Sequence, residues 1–345
     1  MRNTYPAAKE RSWRWNLSRK MIAILLLIII SIFWAMNMGV SGLAVSFAPS
    51  VGSNIIKKNR AVVFFTIFVL MGALLVGGRV AKTLSSKIIA SELITQPVVL
   101  AILFSACIAL FLANILKIPQ STSIIIVGAF VGAGLYFKSL NLSLIKYLIF
   151  VWFGASLLSY FLTYFIVNKI YPPRQKNLRL YEKFFCHESK LKKWTLFTDL
   201  YSAFGIGTNN VANVVGPLIA ANIIKPNVGF LIFSLLFGLG GLILGKGVLN
   251  TVSKEIVPLG TISASIVSLI VTTFIITCSL LGLPAPYVQF SSLSILAIHT
   301  AKEEKNHSQT LVHPITKKIL KVWTLTPILS IIICYFMLLL LGVKR

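Results

Sequence analysis

The chain has 345 residues, of which 57% are hydrophobic and only 12% charged, and its 33 Lys and Arg against 8 Asp and Glu give a net charge of +25. A soluble domain carries about 25% charged residues, so water is not the main solvent of this chain. Nor does the positive charge point to nucleic acid: it gathers in residues 1–20, 169–193 and 302–321, which flank long apolar runs as cytoplasmic loops do in membrane proteins.

A bilayer core of about 30 Å takes about 20 apolar helical residues to cross. Such runs occupy residues 21–39, 61–77, 97–116, 145–167, 228–245, 261–281 and 319–343, with weaker apolar stretches between them. They lack the alternation of barrel strands, so helices that satisfy their own backbone hydrogen bonds are expected. The first run follows a basic leader (Arg2, Lys9, Arg11, Arg14, Arg19, Lys20), yet it is too long for a signal peptide and no small-residue cleavage site closes it. Cys107, Cys186, Cys278 and Cys334 lie far apart, with neither a disulfide framework nor metal-ligand spacing among them.

Sliding the chain along itself by 168 positions superposes Gly39 on Gly207, Ala44 on Ala212 and Pro49 on Pro217, then Gly72 on Gly240 and Gly77 on Gly245. After a shift of three, KIPQSTS at 117–123 falls on GLPAPYV at 282–288. The expected organisation is a basic leader (1–20), a first transmembrane repeat (21–168), a basic connection (169–193) and a second repeat (194–345). The expected fold is an all-α polytopic transmembrane helical bundle of two internal repeats, read as inverted, with broken helices and re-entrant hairpins.

Gly- or Pro-interrupted apolar segments at matching positions of two halves mark the binding site of a secondary transporter. The expected interruptions are residues 39–49 and 205–217, with turns at Pro119 and at Pro284 and Pro286. A helix that begins inside the membrane leaves N–H groups unpaired and carries partial positive charge at that end, where an anion fits. Ser121, Thr122 and Ser123 follow Pro119 where a helix would begin, either as ligands or as plain N-caps. Asn209, Asn210 and Asn213 are spaced to face one site, and three amides in so apolar a stretch are costly unless partnered.

These segments resemble the inorganic phosphate transporter family, which is marked by paired G-A-N-D-V-A-N motifs and P-V-S-T-T-H segments. GTNNVANVVGP at 207–217 stands for the second G-A-N-D-V-A-N, NMGVSGLAVSFAPSVG at 37–52 for the first, and IPQSTSIIIVGAFVGAGL at 118–135 for the first P-V-S-T-T-H region. The family's Asp is Gly42 in the first motif and Asn210 in the second, its first-motif Asn residues are Ser41 and Val45, and its second S-T-T triplet reads Pro286, Tyr287, Val288. This pattern is similar to the sulfate permease branch associated with cysteine synthesis. The resemblance implies a homodimer in the cell membrane that takes up an inorganic oxyanion, with Ser41, Ser121, Thr122, Ser123, Asn209, Asn210 and Asn213 as substrate ligands.

Phosphate near neutral pH keeps a proton that a carboxylate can accept, whereas sulfate has none and suits hydroxyl, amide and backbone donors alone. Loss of both motif aspartates therefore favours sulfate, with phosphate as the alternative. It also removes the carboxylates that a hard cation prefers. A dianion entering a negative interior faces about 4.6 kcal/mol per 100 mV, so uptake calls for symport with H+ or Na+. Asp199, the only aspartate, is the candidate for ion coupling, or else it caps a helix after Thr198. Arg79 is read as snorkelling near a helix end. His187, His299, His307 and His313 form no metal constellation, no cofactor is implied, and no nucleophile-base set suggests an enzyme. A passive anion channel is the remaining rival.

Overall fold

The structure is a computed structural model, and it describes residues 5–115, 120–170, 175, 177–179, 182, 187–256, 260–303 and 314–344. Pro119, Cys186, His307, His313 and parts of the two basic segments at 169–193 and 302–321 lie outside the described residues. Among those described there is no β-strand. In chain order the helices are α1 (Tyr5–Gly52), α2 (Lys58–Gly72), α3 (Gly78–Ser86), α4 (Gln96–Ile115), α5 (Thr122–Phe137) and α6 (Leu142–Ile170), then α7 (Glu188–Asn209), α8 (Ala212–Ala220), α9 (Pro226–Ile256), α10 (Thr261–Leu280), α11 (Tyr287–Glu303) and α12 (Pro314–Leu340). A π-helical turn, Ala73–Gly77, joins α2 to α3.

Seven of the described helices are long and apolar enough to cross a membrane, and they fall on the seven apolar runs of the sequence. The chain is a multi-pass membrane protein. Its burial pattern is that of a protein dissolved in lipid: Phe150 and Phe153 on α6 are 75% and 69% exposed, while Asp199, Asn209 and Asn213 are wholly buried. Thr122–Phe137 is shorter, and at about 1.5 Å per residue it covers only part of the bilayer. Helix α5 therefore starts inside the protein, at the level of the buried polar residues.

Helix α1 runs from Tyr5, through the basic leader, straight into the first span. The first expected interruption, residues 39–49, is helical throughout, with Pro49 inside the last turns of α1. The glycine there serves close packing instead. A Cβ on Gly39 would lie 2.1 Å from the carbonyl oxygen of Phe237 on α9, so only glycine lets these two backbones meet. The second expected interruption is a real break: α7 stops at Asn209, Asn210 and Val211 form a turn, and α8 starts at Ala212.

Close glycine contacts come in reciprocal pairs. Gly39 meets Phe237 and Gly207 meets Val69, while Gly240 meets Met36 and Gly72 meets Phe204. Each partner in the first contact of a pair stands 168 positions from its counterpart in the second. Asn54 and Asn222, also 168 apart, both take left-handed backbone conformations (φ 56° and 55°) in the turns that follow α1 and α8. Helix α1 thus clasps α9 as α7 clasps α2.

Candidate functional site

The buried polar residues converge on a cavity of about 250 Å³, room for several molecules the size of water at about 30 Å³ each. Ser41 and Gly42 of α1 form one wall and Asn210, at the break between α7 and α8, another. The start of α5 contributes Gln120, Ser121 and Thr122, and the start of α11 contributes Tyr287 and Val288. Two helix N-termini therefore open on the same space. In α5 the first backbone bond within the helix runs from the Ile125 N–H to the Ser121 carbonyl, so the N–H groups of residues 122–124 have no acceptor in their own helix. No side chain caps this end: Ser121 sits at the N-cap with no capping hydrogen bond from its hydroxyl.

Among the described residues no carboxylate or cationic side chain lines this cavity. The Asn210 side chain makes no hydrogen bond to a described residue, although its backbone N–H donates to the Ile206 carbonyl at 2.8 Å. Ser41 donates to the Met38 carbonyl at 3.0 Å, a bond within its own helix that a ligand can replace. At Gly42 a Cβ would lie 3.0 Å from Phe65 Cζ and 3.3 Å from Ile206 Cγ2, so these side chains already fill the space that a larger residue needs.

Of the predicted ligands, Ser41, Ser121, Thr122 and Asn210 line the cavity, whereas Ser123, Asn209 and Asn213 stand behind it. The Asn209 carboxamide is fully used. Its Oδ1 accepts from Ser123 Oγ (2.9 Å) and the Ala285 N–H (3.3 Å), and its Nδ2 donates to Ser279 Oγ (3.1 Å) and the Leu283 carbonyl (3.4 Å). Two donors and two acceptor positions are all that an amide has, so Asn209 staples the first turn of α5, the end of α10 and the tip before α11 to the end of α7. Asn213 Nδ2 donates to Thr122 Oγ1 (3.3 Å) and Ser123 Oγ (3.1 Å), while its Oδ1 is buried without a partner.

Sequence reasoning did not single out Gln120 and noted Tyr287 only as a departure from a motif, yet both line the cavity. The Gln120 carbonyl accepts from the Ser121 N–H and from Gln289 Nε2, both at 3.0 Å, and its amide donates to Thr326 on α12. The signal for Gln120 was its place beside the Ser-Thr-Ser run.

Asp199 is not a helix cap: α7 begins at Glu188, eleven residues earlier. It is completely buried, and its Oδ2 accepts from the Ser50 N–H at 3.0 Å, while Oδ1 has no partner. Ser50 follows Pro49, whose missing N–H opens the hydrogen-bond ladder of α1. Arg79 donates from Nη1 to the Leu280 carbonyl at the end of α10 (2.7 Å) and does not line the cavity. No three His, Cys, Asp or Glu gather as metal ligands among the described residues.

The sequence profile of the phosphate transporter family matches residues 38–334. The chain belongs to this family. It is 37% identical over 317 residues to the sulfate permease CysP of Bacillus subtilis, across 90% of this chain and 86% of that one. A putative phosphate permease of Methanocaldococcus jannaschii is 23% identical over 90% of this chain and 96% of its own. A putative phosphate permease of Helicobacter pylori is 33% identical over 108 residues, 30% of this chain and 20% of its own. Among solved structures, the fold is similar to a sodium-dependent phosphate transporter, with a TM-score of 0.77 over 94% of this chain and 100% of that one at 18% identity. As a member of the phosphate transporter family the chain is a transport protein, and its polar cavity lies where two helix starts and a helix break meet.

Proposed function

We propose that this transporter takes up inorganic sulfate by cation symport. The observation that carries the reading is that both positions where the family motif places aspartate, Gly42 and Asn210, line the cavity and neither supplies a carboxylate. A dianion without a proton gains nothing from a carboxylate and is repelled by it, while it is stabilised by hydroxyl, amide and helix N-terminal donors. Ser41, Ser121, Thr122, Asn210 and Tyr287 offer that set, with Gln120 holding the start of α5 in place. The 37% identity with a sulfate permease over most of both chains supports the same reading.

Asp199 carries the coupling ion in this proposal, being a buried carboxyl with one oxygen unpartnered beside the last turn of α1. The deciding experiment is uptake of labelled sulfate and phosphate into proteoliposomes, with cross-competition, under imposed proton and sodium gradients. Saturable, gradient-driven sulfate uptake that excess phosphate does not compete away is the expected result. Preferential phosphate uptake would favour the family's phosphate relatives, and non-saturable flux that ignores both gradients would indicate a passive pore.

A further inference from the structure

A strip of buried hydroxyls leads from Asp199 to the cavity. Asp199 and Ser202 stand three apart on α7, Ser50 and Ser46 four apart on α1, so each pair shares a helix face. The Ser50 N–H reaches Asp199 Oδ2 at 3.0 Å, and one turn along Ser202 Oγ donates to Ser46 Oγ at 3.3 Å. Ser202 Oγ also lies 3.0 Å from the Tyr287 hydroxyl, and Tyr287 is in the cavity wall. Asp199, Ser202 and Ser46 are wholly buried. In the repeat register the positions 168 earlier than Asp199 and Ser202 are Ser31 and Trp34, so this half alone carries a carboxylate beside a hydroxyl.

We propose that Tyr287, Ser202, Ser46 and Ser50 relay a proton between the cavity and Asp199, the last hop falling to the Ser50 hydroxyl, which is buried without a partner on the residue whose N–H already bonds Asp199, and this makes the proton the coupling ion; the proposal rests on the reading of Asp199 given above. Every member of the strip can donate and accept at once. A proton arriving from water in the cavity binds one hydroxyl oxygen while that group passes its own proton onward, and the carboxylate becomes a carboxylic acid. Each hydroxyl ends neutral and one proton has moved, with no oxidation or reduction. A sodium ion instead needs oxygens turned toward it, and one carboxylate oxygen here faces an N–H. Among the described residues the Asp199 carboxylate acts electrostatically on the Tyr287 phenol in the cavity wall. An anion in the cavity and a proton on Asp199 attract one another, and each must strengthen the other's binding by the same factor.

Proton uptake accompanying sulfate entry should be measured in proteoliposomes holding a pH-sensitive dye, beside sulfate counterflow as a readout of folding and anion binding. Ser202→Ala and Ser46→Ala, which do not line the cavity, are expected to keep counterflow within about twofold and to lose sulfate-driven proton uptake at least tenfold. Proton uptake per sulfate equal to that of the unmodified protein would overturn the relay, as would loss of counterflow in both variants, since the hydroxyls would then shape the site. Asp199→Asn separates the two levels. If it abolishes proton uptake while the serine variants do not, the relay fails and the Asp199 reading stands; if it leaves proton uptake intact, that reading fails too. Sulfate entry driven by sodium, with no proton movement, also overturns the relay.

Discussion

Gly39 and Phe237 meet backbone to backbone, with no room for a single added carbon: a Cβ on Gly39 would sit 2.1 Å from the Phe237 carbonyl oxygen and 2.5 Å from its Cα. Gly39→Ala must therefore push α1 and α9 apart, and it is expected to abolish or sharply reduce folded protein. Gly78→Ala, where nothing lies within 4 Å, should fold normally. Size-exclusion profiles and thermal melts of the two variants in detergent check this, and a well-folded Gly39→Ala would refute the close contact.

Asn210→Asp restores the carboxylate of the family motif to the cavity wall. Sulfate uptake should fall at least tenfold, because a fixed negative charge meets a dianion that has no proton to share, and phosphate should become the better competitor. Measuring the concentrations of each anion that halve labelled uptake decides it. An unaltered preference would defeat the selectivity argument.

Asn209→Ala removes four hydrogen bonds at once and leaves Ser123, Ser279, Ala285 and Leu283 to find new partners. Each buried group left unpaired costs about 1–3 kcal/mol, so the melting temperature should drop markedly even though the residue does not line the cavity. A melt unchanged from that of the unmodified protein would show that the staple is unnecessary.

Asp199→Asn keeps the shape and the acceptor for the Ser50 N–H while removing the charge. Uptake driven by an imposed cation gradient should be lost and sulfate exchange spared. Unchanged pH and sodium dependence of uptake would rule Asp199 out of coupling.

The spans were legible because a bilayer forces long uncharged runs that few other structures need, and all seven fell where apolar composition put them. What composition could not separate was the two uses of glycine. Gly39 looks like a helix break, yet it is a place where another backbone comes close, and only knowledge of Phe237 across the interface distinguishes them. The cavity wall was legible only in part. Asn209 and Asn210 are neighbours in sequence, but successive residues at a helix end point about 100° apart, so one is spent on internal bonds and the other faces the cavity. Asp199 looked like a cap because its helix start, at Glu188, follows a basic loop with no apolar signal to mark it.

The saturated Asn209 amide has a mechanical consequence. The first turn of α5, the tip before α11 and the end of α7 are tied through one side chain, so they must travel as a single piece. Across the cavity, Ser41 is bonded only within its own helix. Any sliding of α1 against that block would have to break the Ser50–Asp199 and Ser202–Ser46 bonds, which makes those two contacts the latch between the halves of the cavity wall.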